Sequence, residues 1–254
     1  MLSMPTSSPS FYLIHGWGIG PEVWTLFVEK FSDGKNVCML SLPGYSDSEI
    51  NWQDKMSIEA IADHLSEQIA PGAVLIGWSL GGMVAIKIAE LLQDKISKLI
   101  LLASTPCFVK KKDWPHGVSK NRMLAISNQL HSSGADVLNT FIGEIAIGDS
   151  SPRTTIRTLT KFVNDRTIEP ATLDYGLEIL SNADLRSSLS NLDCSIGMVL
   201  GANDRFVLSS TGHATQSLCA DIDLIEIENS GHAPFVSEPH ATIKAINRLV
   251  ENRQ

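Results

Sequence analysis

The stretch 73–90 restricts the fold of this chain more than any other. The apolar run Ala73-Val74-Leu75-Ile76 leads into Gly77-Trp78-Ser79-Leu80-Gly81, and helically spaced apolar residues follow at once: Met83, Val84, Ile86, Ile88 and Ala89. The order is strand, sharp turn, helix, with G-x-S-x-G at the turn. A serine nucleophile must stand clear of the backbone at a strand end, so its turn is tight and strained. Gly77 and Gly81 fit that turn because a side chain at either would collide with the neighbouring strand or helix. The helix after Ser79 aims free N–H groups and the positive end of its dipole at a developing oxyanion. A Gly-rich turn that merely carries a serine is the competing reading.

The segments around this turn supply a sheet. The apolar run 11–14 reads as a buried strand ending in His15-Gly16-Trp17-Gly18. In a serine hydrolase of this layout, the loop after that strand gives the second oxyanion donor, a backbone N–H. That donor is assigned to Trp17 and the first to Leu80, with the Trp17 ring walling an acyl pocket. An ordinary turn with a core Trp is the alternative, and His15 reads as a structural hydrogen-bonding group. A helix over 21–31 opens with Pro21. A strand over 37–42, a turn over 43–46 ending at Ser46, and a helix over 58–69 capped by Ser57 follow. Segment 96–103 is a further buried strand. Strands alternating with helices predict an α/β fold, a mostly parallel sheet with helices on both faces.

The pattern changes after Phe108. No strand is evident up to about Ala183, whereas 119–132, 135–147, 152–165 and 170–182 have helical spacing. This predicts a helical lid over 109–183 laid on the C-terminal edge of a core made of 1–108 and 184–254, the edge where open α/β sheets bind substrates.

The sheet resumes at 195–200 and is followed by Asp204. An acid just past a strand end can orient a catalytic imidazole. Asp193 and Asp221 are rivals that precede strands, and simple capping is the other role open to Asp204. After a last strand at 222–227, Asn229-Ser230-Gly231-His232 places a His in a loop able to swing over Ser79. His64, His116, His131, His213 and His240 fall in helical or lid segments. An amphipathic helix over 238–252 closes the chain at Asn252.

Net charge separates partner classes. The formal charge of −8 argues against nucleic acid. Segment 109–181 holds nine basic and eight acidic residues, so it carries +1 and the remainder −9. An acidic partner could dock on the lid and not elsewhere, the competing reading being that lids are simply mixed-charge surface helices. Cys38, Cys107, Cys194 and Cys219 are scattered, without metal-ligand spacing, and read as reduced, mostly buried thiols. No segment has the length of a membrane span, and the start lacks a secretory pattern, so a cytoplasmic enzyme is expected.

The motifs His15-Gly16-Trp17-Gly18, Gly77-Trp78-Ser79-Leu80-Gly81-Gly82, Asp204 after the penultimate strand and Ser230-Gly231-His232-Ala233-Pro234-Phe235, in the order Ser79, Asp204, His232, resemble the α/β-hydrolase superfamily. With Leu177-Glu178-Ile179-Leu180 and Asp184-Leu185-Arg186, the chain most resembles the pimeloyl-acyl-carrier-protein methyl ester esterases of biotin synthesis over nearly its whole length. The resemblance implies a monomeric serine carboxylesterase without cofactor or metal. In it Trp17, Leu80, Phe141, Ile142, Gly143, Glu144, Ile145 and His232 contact substrate, and Arg153 and Arg157 hold acyl-carrier protein. Two positions where such lids carry further arginines read Asp136 and Thr140. On composition alone, Arg153 and Arg157 would instead form a solvated face paired with Asp149 or Asp165. The short leader before Phe11 implies a sheet lacking one or two antiparallel edge strands. A general short-chain esterase, thioesterase or C–C bond hydrolase, and a non-catalytic receptor of the same fold, are the other functions compatible with these residues.

Overall fold

The computed structural model describes residues 10–45, 57–164, 168–219 and 221–251. The leading segment 1–9 with its expected lack of a hairpin, the turn end at Ser46, the acidic Asp165 and the helix end at Asn252 lie outside the described residues. The first half of the chain runs β1 (Ser10–Ile14), α1 (Thr25–Phe31), β2 (Asn36–Leu40), α2 (Ile58–Ser66), β3 (Ala73–Trp78), α3 (Leu80–Leu92) and β4 (Ile96–Leu102). Four helices follow without a strand: α4 (Lys120–Ser133), α5 (Val137–Ile145), α6 (Pro152–Asn164) and α7 (Pro170–Asn182). The chain ends with α8 (Arg186–Ser190), β5 (Ser195–Gly201), α9 (Ser209–Gln216), β6 (Asp223–Ile227), α10 (Pro234–Ser237) and α11 (Pro239–Glu251).

The described strands form one six-stranded sheet, ordered β2-β1-β3-β4-β5-β6, and every pairing is parallel. Every residue of β3 is buried, as expected of a central parallel strand covered on both faces. On one side α3 packs across β3 and β4, with α2 and α8 against it. α11 packs on β5 and β6. The outer strand β2 is half exposed along its length, which leaves Cys38 exposed. Of the four free thiols only Cys107 is fully buried, Cys194 and Cys219 being intermediate, so the expectation of mostly buried thiols fails at the sheet edge and at the turns bordering β5 and β6.

Local chemistry explains the element starts. Ser57 Oγ accepts the Ala60 N–H at 3.2 Å and caps α2. The single helix expected over 21–31 begins instead as a 3₁₀ turn, Pro21–Trp24, ahead of α1. Gly20 offers no capping side chain, and a Val23 N–H to Gly20 carbonyl bond tightens that first turn. Among the described residues the stretch between β4 and α4 holds only two isolated bridges, Val109 with Val118 and Lys111 with Trp114. No helix among them is long and apolar enough to cross a membrane.

The chain reverses its winding at β1. From there it first adds β2 on one side and then β3 on the other, so the loops after β1 and β3 diverge and leave a crevice at their C-terminal ends. Residues 15–18 and Ser79 lie there.

Candidate active site

Ser79 sits between β3 and α3 with φ 53° and ψ −118°, a positive φ that only tight surroundings maintain in a non-glycine residue. Its N–H donates to the Leu102 carbonyl at 3.1 Å, and its carbonyl accepts from Ser104 Oγ at 2.6 Å and from the Gly82 N–H at 3.0 Å. A Cβ at Gly77 would strike the Gly81 carbonyl and Gly82, and one at Gly81 would strike the Ile14 and His15 carbonyls. The strained turn and the loop after β1 are therefore in direct backbone contact.

Three side chains from three strand ends meet here. His232 Nε2 lies 2.9 Å from Ser79 Oγ, and its Nδ1 lies 2.7 Å from Asp204 Oδ2. The second Asp204 oxygen accepts the N–H groups of Phe206 and Val207 at 2.7 and 3.1 Å, which fixes the carboxylate plane. With Nδ1–H donated to this carboxylate, Nε2 is left free to accept the serine proton. All three residues are buried. The Trp78 indole N–H holds the His232 carbonyl at 2.8 Å. Asp193 and Asp221 are exposed and lie at the starts of β5 and β6, the opposite sheet edge. His64, His213 and His240 lie in α2, α9 and α11, His116 lies between β4 and α4, and His131 of α4 pairs with Asp174 at 3.4 Å.

Neither the Trp17 nor the Leu80 N–H has a backbone acceptor in the turns, loops and caps of the described residues. Leu80 opens α3, so its N–H is one of the free donors of a helix start. The Trp17 indole donates to the Leu173 carbonyl at 2.8 Å, and α7 passes so close at Gly176 that a Cβ would strike the Trp17 ring and press on Leu80. An aromatic row lines this side: Trp17 meets Phe141 at 4.9 Å, Phe141 meets Phe206 at 5.3 Å, and Phe206 meets the His232 ring at 4.9 Å.

The stretch Phe141 to Ile145 is divided. Phe141 belongs to that row and Gly143 borders open space. Ile142 and Ile145 are buried in the core. Glu144 forms an ion pair with Arg122 at 2.5 Å. Arg122 also donates to the Arg205 carbonyl at 3.0 Å and lies over the Phe206 ring at 4.3 Å. Nothing in the sequence pattern signals that contact, because α4 and the loop after β5 are 83 residues apart. Arg153 and Arg157 are exposed on α6, without an ion pair to a described residue. Asp149 is not their partner: it is buried and accepts the Gly231 N–H at 2.6 Å. Burial pushes its carboxyl up, against the hydrogen bond from the Gly231 N–H, and its other oxygen, Oδ2, is buried without a hydrogen-bond partner among the described residues. Thr140 Oγ1 accepts from Gln129 Nε2 at 3.0 Å.

His15 is a structural group. Its Nδ1–H donates to the Gly16 carbonyl and its Nε2 accepts the Leu42 N–H, both at 2.9 Å. Burial pushes this imidazole down to about 4, against hydrogen bonds to the Gly16 and Ile19 backbone.

The family model described as the alpha/beta hydrolase family matches residues 11–245. The chain is similar to proteins named pimeloyl-[acyl-carrier protein] methyl ester esterase. That of Aromatoleum aromaticum is 30% identical over 248 residues, covering 95% of this chain and 98% of the relative. That of Klebsiella pneumoniae is 33% identical over 230 residues, covering 90% of this chain and 88% of the relative. Among solved structures, an esterase from Exiguobacterium antarcticum matches with a TM-score of 0.86 at 21% identity, covering 97% of this chain and 93% of that one. At that identity the likeness speaks for the fold alone.

Proposed function

The chain belongs to the alpha/beta hydrolase family, and we propose that it is a serine carboxylesterase that hydrolyses the methyl ester of pimeloyl-acyl-carrier protein in biotin synthesis. The observation that carries the chemistry is the hydrogen-bonded row from Ser79 Oγ through His232 to Asp204. Ser79 Oγ attacks the ester carbonyl as His232 Nε2 takes its proton. Asp204 holds the imidazole tautomer and stabilises the imidazolium. The Trp17 and Leu80 N–H groups receive the oxyanion. His232 returns the proton to the departing methanol. Water then attacks the acyl-enzyme, giving one proton to His232, which passes it to Ser79 as the acid leaves.

The substrate is read from the names of the relatives and from charge. Arg153, Arg157 and Lys161 follow one another at four-residue spacing on α6, in a chain of net −8. Guanidinium groups suit a phosphopantetheine phosphate and acidic helices, which acyl-carrier protein offers. The reading carries with it a cytoplasmic, monomeric enzyme with a lid spanning 109–183. Asp136 and Thr140, standing where lids of this resemblance carry further arginines, favour a second reading, a general short-chain carboxylesterase.

The test compares p-nitrophenyl esters of increasing chain length with a carrier-bound pimeloyl methyl ester, for wild type and Ser79→Ala. A preference of kcat/KM for the carrier-bound ester is expected. Removal of the nucleophile should lower turnover on the order of a million-fold. Turnover of free esters alone would leave the general esterase, and near-normal turnover by Ser79→Ala would overturn the mechanism.

A further inference from the structure

The segment that leaves α5 and enters α6 touches both loops that carry the partners of Ser79. The Ile145 carbonyl accepts the N–H of His232 itself at 3.1 Å. The Gly148 carbonyl accepts from Asn203 Nδ2, next to Asp204, at 2.9 Å. Asp149 Oδ1 accepts the Gly231 N–H at 2.6 Å, and the Ser150 N–H donates to the Asn229 carbonyl at 2.8 Å. The loops are also tied to each other, since the Asn203 N–H donates to the Ser230 carbonyl at 2.9 Å. Residues 145–150 therefore splint the acid loop to the base loop.

One side chain in this splint differs from the rest. Asp149 carries the one carboxyl group of the segment, and it is buried. Its hydrogen bond ends on the residue immediately before His232. Gly231 has no slack to absorb a loss there: a Cβ on it would meet the Ile147 and Ile145 carbonyls and Asp149 Oδ1. A bond at 2.6 Å is short, and it constrains the backbone that aims the imidazole.

We propose that Asp149 is a positioning residue for His232, holding the imidazole within reach of Ser79 through the Gly231 N–H. The proposal rests on the serine-hydrolase reading but not on the identity of the ester. It makes the helical insertion part of the catalytic geometry as well as a cover over it.

The experiment measures steady-state hydrolysis of a p-nitrophenyl ester and the rate at which a fluorophosphonate labels Ser79. In labelling, Ser79 Oγ bonds to phosphorus, fluoride leaves, and His232 accepts the serine proton. Asp149→Ala should lower kcat and the labelling rate roughly ten- to a hundredfold, the scale of one lost buried hydrogen bond, with KM little changed. Asp149→Asn keeps a carbonyl oxygen for the Gly231 N–H and should restore most of both rates. The low-field proton resonance of the His232 Nδ1–H should weaken in the Ala variant and return in the Asn variant. Where Asp149→Ala fails to fold, Asp149→Ser takes its place: its hydroxyl is one atom too short to reach Gly231, and the same loss in kcat is expected. Wild-type kcat and labelling in a folded Ala or Ser variant, or an Asn variant as impaired as Ala, would overturn the proposal. Labelling needs no ester substrate, so failure of the carrier-bound ester to be hydrolysed leaves this test standing.

Discussion

The Trp17 indole meets the Phe141 ring edge to face, with centroids 4.9 Å apart. The contact joins the loop after β1 to helix α5, and so joins a proposed oxyanion donor to the insertion. Phe141 also touches Phe206, which packs on His232. Phe141→Ala should open the acyl side of Ser79 and shift the preference among p-nitrophenyl esters toward longer or bulkier acyl groups. An unchanged chain-length profile would remove Phe141 from the acyl site.

Asp204→Asn should preserve the packing and favour the wrong imidazole tautomer. Turnover should fall roughly ten-thousand-fold. Asp193→Asn and Asp221→Asn should have little effect, because both residues lie at the far edge of the sheet. A crippled Asp221 or Asp193 variant beside an active Asp204→Asn would reverse the assignment.

The exposed pair Arg153 and Arg157 tests the carrier-protein reading. Arg153→Glu with Arg157→Glu should raise KM for a carrier-bound ester and make the remaining binding less dependent on salt. Hydrolysis of a small p-nitrophenyl ester should hardly change. Equal losses on both substrates would mean a damaged insertion, and no loss on either would favour the general esterase.

His15 should make stability depend on pH. Its folded-state imidazole is pushed down to about 4 from an ordinary 6.5. Above the ordinary value both states are neutral and the two hydrogen bonds of His15 stabilise the fold in full. As pH falls toward about 4, the unfolded chain takes up a proton that the native state excludes, and up to about 3 kcal/mol is lost. Urea midpoints of wild type should therefore fall more steeply between about pH 7 and about pH 5 than those of His15→Asn. Parallel slopes would show that His15 is not held neutral.

The sequence by itself determined the local elements and singled out the groups proposed to react. An apolar run, G-W-S-L-G-G and an apolar helix can form only a strand, a strained turn and a buried helix. Backbone sterics and side-chain periodicity act within a few residues, so Ser79, the loop at 15–18, Asp204 past a strand and His232 in its loop were all legible. So was the helical character of the stretch before 183. The tertiary structure alone decided what meets across the chain. It placed Asp149 under Gly231 when composition offered it to Arg153 and Arg157. It paired Glu144 with Arg122 and stacked that arginine on Phe206, and it left Cys38 exposed on an edge strand. These contacts join segments tens of residues apart, and their strength comes from burial and hydrogen-bond geometry. No local pattern encodes them, because a buried carboxylate and a solvated one are the same letter until the fold removes the water.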